Sequence, residues 1–244
     1  IRYATGAGVG YHLPFPFFGF FRPSKRNLDK IMGFLKQENP DIIGLVEVDE
    51  GSYRSKNCNQ AEHIARHLGY THVYESKYAE ASLVRKMPVL RRQGNAFITN
   101  QDICNTQFHF FRHGMKRLVI ELEFDQFSIF LVHLSLKYRH RQYQLRDLHQ
   151  IFKDRRKPKI VAGDFNAFFG NQELDLFMEA SGLRNANKEG LPTFPSIAPR
   201  RQLDFILHSP EIRITDFRVP ALQLSDHMPL ICEFEAPAAV AQSA

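Results

Sequence analysis

The chain has 244 residues, of which 43% are hydrophobic and 24% are charged, a composition typical of a folded globular protein and not of a disordered one. It contains no run of the roughly 20 apolar residues that a membrane-spanning helix needs, and no signal-peptide pattern. Lysine and arginine exceed aspartate and glutamate by 32 − 26 = 6, which favours a partner that carries phosphate groups. The cysteines Cys58, Cys104 and Cys232 lie far apart and match neither a zinc-ligand spacing nor a disulfide framework. Because this favours a reducing compartment, we expect a cytoplasmic location.

Helices are predicted where apolar residues recur every three or four positions. This pattern covers residues 28–35, 61–68, 145–152 and 174–178. Ser24, Asn59 and Asn171 are placed as N-caps, and Gly69 and Gly182 follow the last residues of two of these helices.

Strands are predicted between these helices from short apolar or alternating runs. They lie near residues 41–46, 71–75, 94–99, 118–124, 127–134, 159–163, 203–208, 212–218 and 229–235. The tight turn at Asp125-Gln126 implies an antiparallel hairpin, which disfavours a purely parallel barrel. Many strands with few helices favour an α/β (α+β) fold with sheets in the middle and helices outside. Since no repeat or linker divides the chain, we predict one domain over 1–236 and a C-terminal tail over 237–244.

A phenylalanine-rich segment, Leu13-Pro-Phe-Pro-Phe-Phe-Gly-Phe-Phe21, stands out near the start of the chain. Its prolines exclude a regular helix or a central strand. One interpretation is a loop folded over the core. The other is an exposed apolar lip, from Phe15 to Phe21, that makes a peripheral contact with a membrane or an apolar ligand.

Polar residues that could act in catalysis or bind a metal occur where predicted strands begin or end. They are Glu47, His133, Asp164, Asn166, Asp204, Asp226 and His227. Taken singly, each is typical of a solvated turn residue or a helix cap. Taken together, they supply hard oxygen ligands for Mg²⁺ or Mn²⁺ and a candidate base, whereas the spacing of histidines and cysteines does not favour zinc.

Six ordered motifs resemble the endonuclease/exonuclease/phosphatase superfamily, which includes deoxyribonuclease I-like nucleases, inositol-polyphosphate phosphatases and neutral sphingomyelinases. The motifs are Asn39-Pro-Asp-Ile-Ile-Gly-Leu-Val-Glu-Val48, Gly94-Asn-Ala-Phe-Ile-Thr99, Val132-His-Leu-Ser135, Gly163-Asp-Phe-Asn166, Gln202-Leu-Asp-Phe-Ile206 and Ser225-Asp-His-Met-Pro229. Each motif is weak alone, but six in the right order over residues 25–235 are specific. The resemblance implies a four-layer α/β/β/α sandwich of two mostly antiparallel sheets flanked by helices.

The resemblance also implies a role for each motif residue. Glu47 would be the main metal ligand and Asp226 would lie near the same ion. Asp164 would orient or deprotonate the attacking water, and Asn166 would hold that water or a phosphate oxygen. Asp204 would orient His227, and His133 would contact the scissile phosphate. The residues are thereby expected to converge in one cleft.

Weaker family patterns involve three arginines. Arg141, with Gln144 one helical turn away, is a weak candidate for substrate binding and more typical of a residue that braces the site. Arg200 and Arg201 follow Thr193-Phe-Pro-Ser196, and they are candidate phosphate contacts or a solvated pair. Val46 stands where many members have glutamine. Residues 1–6 resemble the sequence just after an asparagine of the family's first strand, so we expect an upstream strand and expect Ile1 to lie near Glu47 and Asp226.

Three functional hypotheses follow. The first is a Mg²⁺-dependent phosphoesterase, most simply a phosphodiesterase acting as a monomer on nucleic acid or on a phospholipid or inositol phosphate headgroup. The second is a non-catalytic binding or scaffold domain. The third, a metal-free serine or cysteine hydrolase, lacks a Gly-x-Ser-x-Gly motif.

Overall fold

The computed structural model describes residues 1–6, 25–52, 55, 57–76, 92–170 and 172–238. They form two compact units built from interleaved segments. The first unit comprises Ile1–Gln101, Phe194–Arg200 and Ala221–Pro229, and the second comprises Asp102–Thr193, Arg201–Pro220 and Leu230–Ala244. The single domain over 1–236 stays a prediction. The phenylalanine-rich segment, the caps Ser24 and Asn171, and positions 239–244 of the predicted tail lie outside the described residues.

The first unit is an antiparallel sheet with two helices. Its strands are β1 (Ile42–Asp49), β2 (Thr71–Ser76) and β3 (Gln93–Thr99), in the order β1-β3-β2, and its helices are α1 (Lys25–Glu38) and α2 (Gln60–Leu68). Apolar side chains of both helices, such as Ile31 and Ile64, form one core with Ile43 and Ile98 of the sheet. The apolar faces of the two helices therefore pack against the sheet, as the sequence predicts.

Local signals set the ends of α2. The Asn59 side chain accepts a hydrogen bond from the backbone nitrogen of Glu62 at 3.2 Å, and Gly69 ends the helix in the left-handed region with φ 76°. Both caps are confirmed, because an asparagine oxygen satisfies a free N–H at the first turn and glycine adopts positive φ without steric cost.

The second unit is a six-stranded mixed sheet with two helices on one face. Its strands, in the order β4-β5-β6-β7-β9-β8, are β4 (Asn105–Phe110), β5 (Leu118–Glu123), β6 (Ser128–His133), β7 (Lys159–Asp164), β8 (Arg184–Asn185) and β9 (Asp204–His208). The helices are α3 (Tyr138–Lys153) and α4 (Gln172–Ser181), and β10 (Arg213–Arg218) pairs with β11 (Ile231–Glu235) in a separate ribbon. Leu148 and Phe177 of the helices share a core with Phe130, Val161 and Phe205 of the sheet.

One parallel pair determines where the polar residues of this unit lie. α3 connects β6 to β7, and these two strands pair in parallel, so their carboxyl ends lie side by side. β9 runs antiparallel to β7, so its first residue lies at the same end. The close approach of β6 and β7 requires glycine at position 163, where φ is 139° and an added Cβ would lie 2.0 Å from the carbonyl oxygen of Val132.

The predicted fold class is confirmed: the chain is mixed α/β, with sheets flanked by four helices. The hairpin of β5 and β6 is antiparallel, and its turn is closed by a 2.9 Å hydrogen bond from the nitrogen of Phe124 to the oxygen of Phe127. β4 and β8 were not predicted. Among the described residues, no helix is both long enough and apolar enough to cross a membrane.

A buried carboxylate predicts how stability depends on pH. Glu121 of β5 lies 2.6 Å from Nε2 of His109 and accepts a 2.6 Å hydrogen bond from Nε of Arg155. Burial acts to raise the pKa of Glu121, but the hydrogen bonds from His109 and Arg155 outweigh it and hold the pKa below its ordinary value. Because the folded pKa is depressed, Glu121 stabilises the fold above its unfolded pKa of about 4.3 and loses that contribution as the pH falls through the folded pKa.

We therefore expect Glu121→Gln to lower the free energy of unfolding at pH 7, with the difference from wild type shrinking below about pH 4.3. Urea unfolding of both proteins between pH 7 and about pH 4 measures this difference in the free energy of unfolding. Glu235→Gln is the control, because the Glu235–Arg213 pair is exposed and exposed pairs contribute about 0–1 kcal/mol. A Glu121→Gln difference that does not change with pH would contradict the assignment.

Candidate active site

In the second unit, three of the predicted residues lie side by side across neighbouring strands. His133 ends β6 opposite Asp164 of β7, and Asp164 lies opposite Asp204 of β9. Nε2 of His133 is 3.2 Å from Oδ2 of Asp164, and carboxylate oxygens of Asp164 and Asp204 lie within 4.8 Å of one another. Two carboxylates this close attract positive charge, so this end of the sheet is suited to a cation.

Asn166 is held in the turn that follows β7. Its φ of 52° is left-handed, a conformation that asparagine tolerates better than most residues. Its side-chain nitrogen donates to the oxygen of Leu134 at 2.8 Å and to Oδ2 of Asp164 at 3.1 Å, while its backbone nitrogen donates to Oδ1 of Asp164 at 2.9 Å. Asp164 and Asn166 therefore orient each other, and their roles toward water and phosphate stay predictions.

Asp204 is oriented by a residue that the sequence prediction missed. The buried Thr193 hydroxyl donates to Oδ2 of Asp204 at 2.6 Å and accepts from the backbone nitrogen of Leu203 at 3.1 Å. The Thr193 hydroxyl thereby holds both the backbone before β9 and the carboxylate of Asp204 in place. The signal was Thr193-Phe-Pro-Ser196, which we interpreted only through the arginines that follow it.

Lys116 is a second residue that the sequence prediction missed. It lies between β4 and β5, and its Nζ contacts Nε2 of His133. The loop is held by the fully buried Gln144, whose side chain donates to the oxygen of Lys116 at 2.6 Å and to that of His113 at 2.9 Å. A single lysine before a strand carries no distinguishing pattern, so its position depends on the tertiary structure.

In the first unit, Glu47 lies on an irregularity of β1. The register of β1 with β3 shifts between Leu45 and Val48, and Glu47 adopts φ 59°. Its backbone nitrogen donates to the side-chain oxygen of the buried Asn95 at 3.2 Å. A left-handed glutamate is costly, and such residues cluster at functional sites. Asn95, within the Gly94–Thr99 motif, is a further residue whose role we had not assigned.

The other predicted metal ligand of the first unit, Asp226, lies near positive charge. Its Oδ2 is 2.8 Å from Nη1 of Arg2, and its Oδ1 accepts from the hydroxyl of Ser225 at 3.0 Å. The amino group of Ile1 donates to the oxygen of Val46 at 2.6 Å. Ile1 and Arg2 thus contact the segments that carry Glu47 and Asp226, as predicted.

His227 is packed against an aromatic ring of the same unit. Its imidazole and the ring of Phe194 have centroids 4.8 Å apart, and both groups are partly exposed. The loop that holds Phe194 is bound through Ser196, whose nitrogen donates to the oxygen of Asp226 at 2.7 Å. The orientation of His227 by Asp204, and the convergence of all seven residues in one cleft, stay predictions.

The three arginines lie in different environments. Arg141 is fully buried, with Nε donating to Glu173 at 2.9 Å and Nη1 donating to the oxygens of Ser135 and Leu136. It braces the segment after β6, as the bracing interpretation expects, and a contact with substrate stays a prediction. Arg200 and Arg201 are exposed, and the guanidinium of Arg201 lies 5.7 Å from the ring centroid of Phe168.

Comparison with known proteins identifies the class. The model of the Endonuclease/Exonuclease/phosphatase family matches residues 18–227. The chain therefore belongs to the endonuclease/exonuclease/phosphatase family, whose members are hydrolases that act on phosphate esters. Comparison with curated protein sequences finds no match.

Solved structures share the fold. A conserved protein of unknown function from Enterococcus faecalis is 14% identical with a TM-score of 0.71, covering 87% of this chain and 92% of that chain. A mannosyl-6-phosphatase from Bacteroides thetaiotaomicron is 16% identical with a TM-score of 0.68, covering 86% and 91%. The catalytic domain of human Nocturnin with bound sulfate is 23% identical with a TM-score of 0.66, covering 88% of each chain.

Proposed function

We propose that the protein is a divalent-metal-dependent phosphodiesterase that hydrolyses its substrate by in-line attack of water. The observation that carries this proposal is the register of the second unit, which brings His133, Asp164 and Asp204 to one end of three neighbouring strands. Asn166 is hydrogen-bonded to Asp164 at the same place. An imidazole, two carboxylates and a primary amide supply the proton transfer and the orientation of water that phosphoester hydrolysis needs.

The side chains of the second unit divide the chemistry between them. Asp164 accepts two hydrogen bonds from Asn166, so its carboxylate is held in one orientation and serves as the group that aligns and deprotonates the attacking water. His133, with Lys116 at its Nε2, would contact the scissile phosphate, and a proton for the leaving oxygen would come from this lysine–histidine pair. Lys116 adds positive charge against the developing equatorial oxygens.

The donor set fits a hard divalent cation. Glu47 and Asp226 of the first unit offer carboxylate oxygens, the ligands that hard divalent cations prefer. We assign Glu47 and Asp226 as the residues that would hold Mg²⁺ or Mn²⁺. A bound divalent cation would polarise a phosphate oxygen and lower the barrier to attack.

Charge favours a diester over a monoester. Lys116 contacts His133, whereas Asp164 and Asp204 are both acidic. A phosphodiester carries one negative charge, but a phosphomonoester carries close to two at neutral pH. Asp164 and Asp204 therefore repel a monoester more strongly than a diester, an effect that the charge of a bound divalent cation would reduce.

The test compares bis(p-nitrophenyl) phosphate with p-nitrophenyl phosphate, each with Mg²⁺, Mn²⁺ or EDTA. We expect cation-dependent turnover that is faster with the diester. Asp125→Asn is the matched control, because Asp125 is exposed in the turn at the opposite end of β6 from His133. Full turnover in EDTA would exclude the metal, and faster monoester turnover would exclude the diester preference. Mg²⁺ binding without turnover of the diester, DNA, RNA, sphingomyelin or phosphoinositides would favour the scaffold hypothesis.

A further inference from the structure

The second unit exposes apolar side chains next to its candidate catalytic residues. Met115, Leu136, Tyr138 and Phe169 are 69%, 61%, 50% and 75% exposed. Single exposed apolar residues are ordinary on a protein surface, but a contiguous group marks an interaction site. Contacts between these residues therefore decide whether they form a surface.

The structure joins them into one surface. The rings of Tyr138 and Phe169 have centroids 5.7 Å apart and meet edge to face at 86°. The buried Arg141 lies 5.8 Å from the Tyr138 centroid and donates to the oxygen of Leu136 at 2.7 Å, while its partner Glu173 accepts from the nitrogen of Phe169 at 2.7 Å.

Met115 lies on a loop that packs against the segment before Leu136. A Cβ added to Gly114 would lie 2.2 Å from the hydroxyl oxygen of Ser135, so residue 114 packs directly on the residue before Leu136. We call residues 112–117, 136–139 and 168–169 the rim. The rim borders the candidate site, because Lys116 contacts His133 and Asn166 binds the oxygen of Leu134.

The rim is basic. Arg112, Lys137 and Arg139 are exposed, and its segments contain no aspartate or glutamate. Leu136-Lys137-Tyr138-Arg139 alternates apolar and cationic side chains, all of them exposed. Apolar residues that enter a lipid interface, flanked by lysine and arginine that remain at the headgroups, have this composition.

We infer that the rim docks the protein on an anionic lipid bilayer and brings the site to the phosphate of a phospholipid headgroup; the substrate part of this inference rests on the proposed function. The basic residues of the rim complement the negative charge of anionic headgroups, which favours an anionic bilayer as the partner. The phenylalanine-rich segment plays no part in the inference, because the rim is a separate surface made of described residues.

Stacking of nucleic-acid bases is the competing use of exposed aromatic rings. Base stacking needs open ring faces. The edge-to-face contact leaves ring faces of Tyr138 and Phe169 open, but Met115 and Leu136, the other strongly exposed apolar residues of the rim, have no ring to offer. The mixture of aliphatic and aromatic side chains therefore fits a bilayer better than it fits a row of bases.

The experiment is vesicle co-sedimentation of the full chain in EDTA, so that its result does not depend on turnover. Vesicles of phosphatidylcholine with 30% phosphatidylserine are compared with vesicles of phosphatidylcholine alone. We expect binding to the anionic vesicles to fall about tenfold or more in Met115→Ser/Leu136→Ser. In Lys137→Glu/Arg139→Glu we expect a loss of about fivefold or more per charge, together with loss of the preference for phosphatidylserine.

The matched control is Leu176→Ser. Leu176 is 76% exposed on α4 and lies beside the acidic Asp175, so it has the exposure of a rim residue without the basic neighbours. Its substitution should leave vesicle binding unchanged. Wild-type binding by the rim variants, or equal loss in Leu176→Ser, would overturn the inference. The inference would also be overturned if the wild-type chain binds single-stranded oligonucleotides but not vesicles, and the rim variants lose that oligonucleotide binding.

Discussion

Asp164→Asn should lower kcat on the diester at least about a hundredfold, the scale expected for loss of a general base. The substitution keeps the size of the side chain but removes its negative charge. It also places an NH₂ group at one of two oxygens that both accept hydrogen bonds from Asn166, and Oδ2 lies in addition 3.2 Å from Nε2 of His133. The variant therefore loses both the base and the alignment of its neighbours.

Steady-state kinetics with bis(p-nitrophenyl) phosphate measure this loss, and thermal unfolding shows whether the variant is folded. Asp125→Asn, the same chemical change at an exposed turn, should keep full activity. Asp204→Ala and His227→Ala should lose activity on the same scale. A folded Asp164→Asn variant within tenfold of wild type would remove Asp164 from the proposed role.

Arg141→Met should destabilise the protein by about 3–5 kcal/mol, because it leaves the carboxylate of Glu173 buried without a cation. The Glu173 side chain is 4% exposed, and the Arg141 side chain is fully buried. The substitution also removes the donors to the oxygens of Ser135 and Leu136. Since these residues follow His133, activity should fall together with stability.

Urea denaturation measures the change. Arg141→Met/Glu173→Gln should recover part of the loss, because the glutamine removes the buried charge while its oxygen still accepts from the nitrogen of Phe169. Arg213→Met, which breaks the exposed pair with Glu235, should leave the free energy of unfolding nearly unchanged. A similarly small effect of Arg141→Met would show that the buried pair does not brace this segment.

Local patterns predicted most of the secondary structure. The hydrogen bond of Asn59 to its helix and the left-handed Gly69 follow from residues a few positions apart, so a short window of sequence contains the whole interaction. β4 was missed because Asn105-Thr-Gln-Phe-His-Phe110 is polar and lies at the edge of the sheet, where one neighbour is sufficient and little burial is required. The irregularity at Glu47 was missed because a bulge has no periodic signal.

The amino-acid sequence by itself determined the family, the residue types of the site and their positions at strand ends, because each motif is a short segment whose chemistry is local. The tertiary structure alone decided which groups touch them. Lys116 reaches His133, and Thr193 binds Asp204, across chain separations of 17 and 11 residues. Arg141 binds Glu173 across 32 residues. Such partners are selected by the pairing of strands and the packing of helices, which depend on contacts between distant segments that no short window of sequence contains.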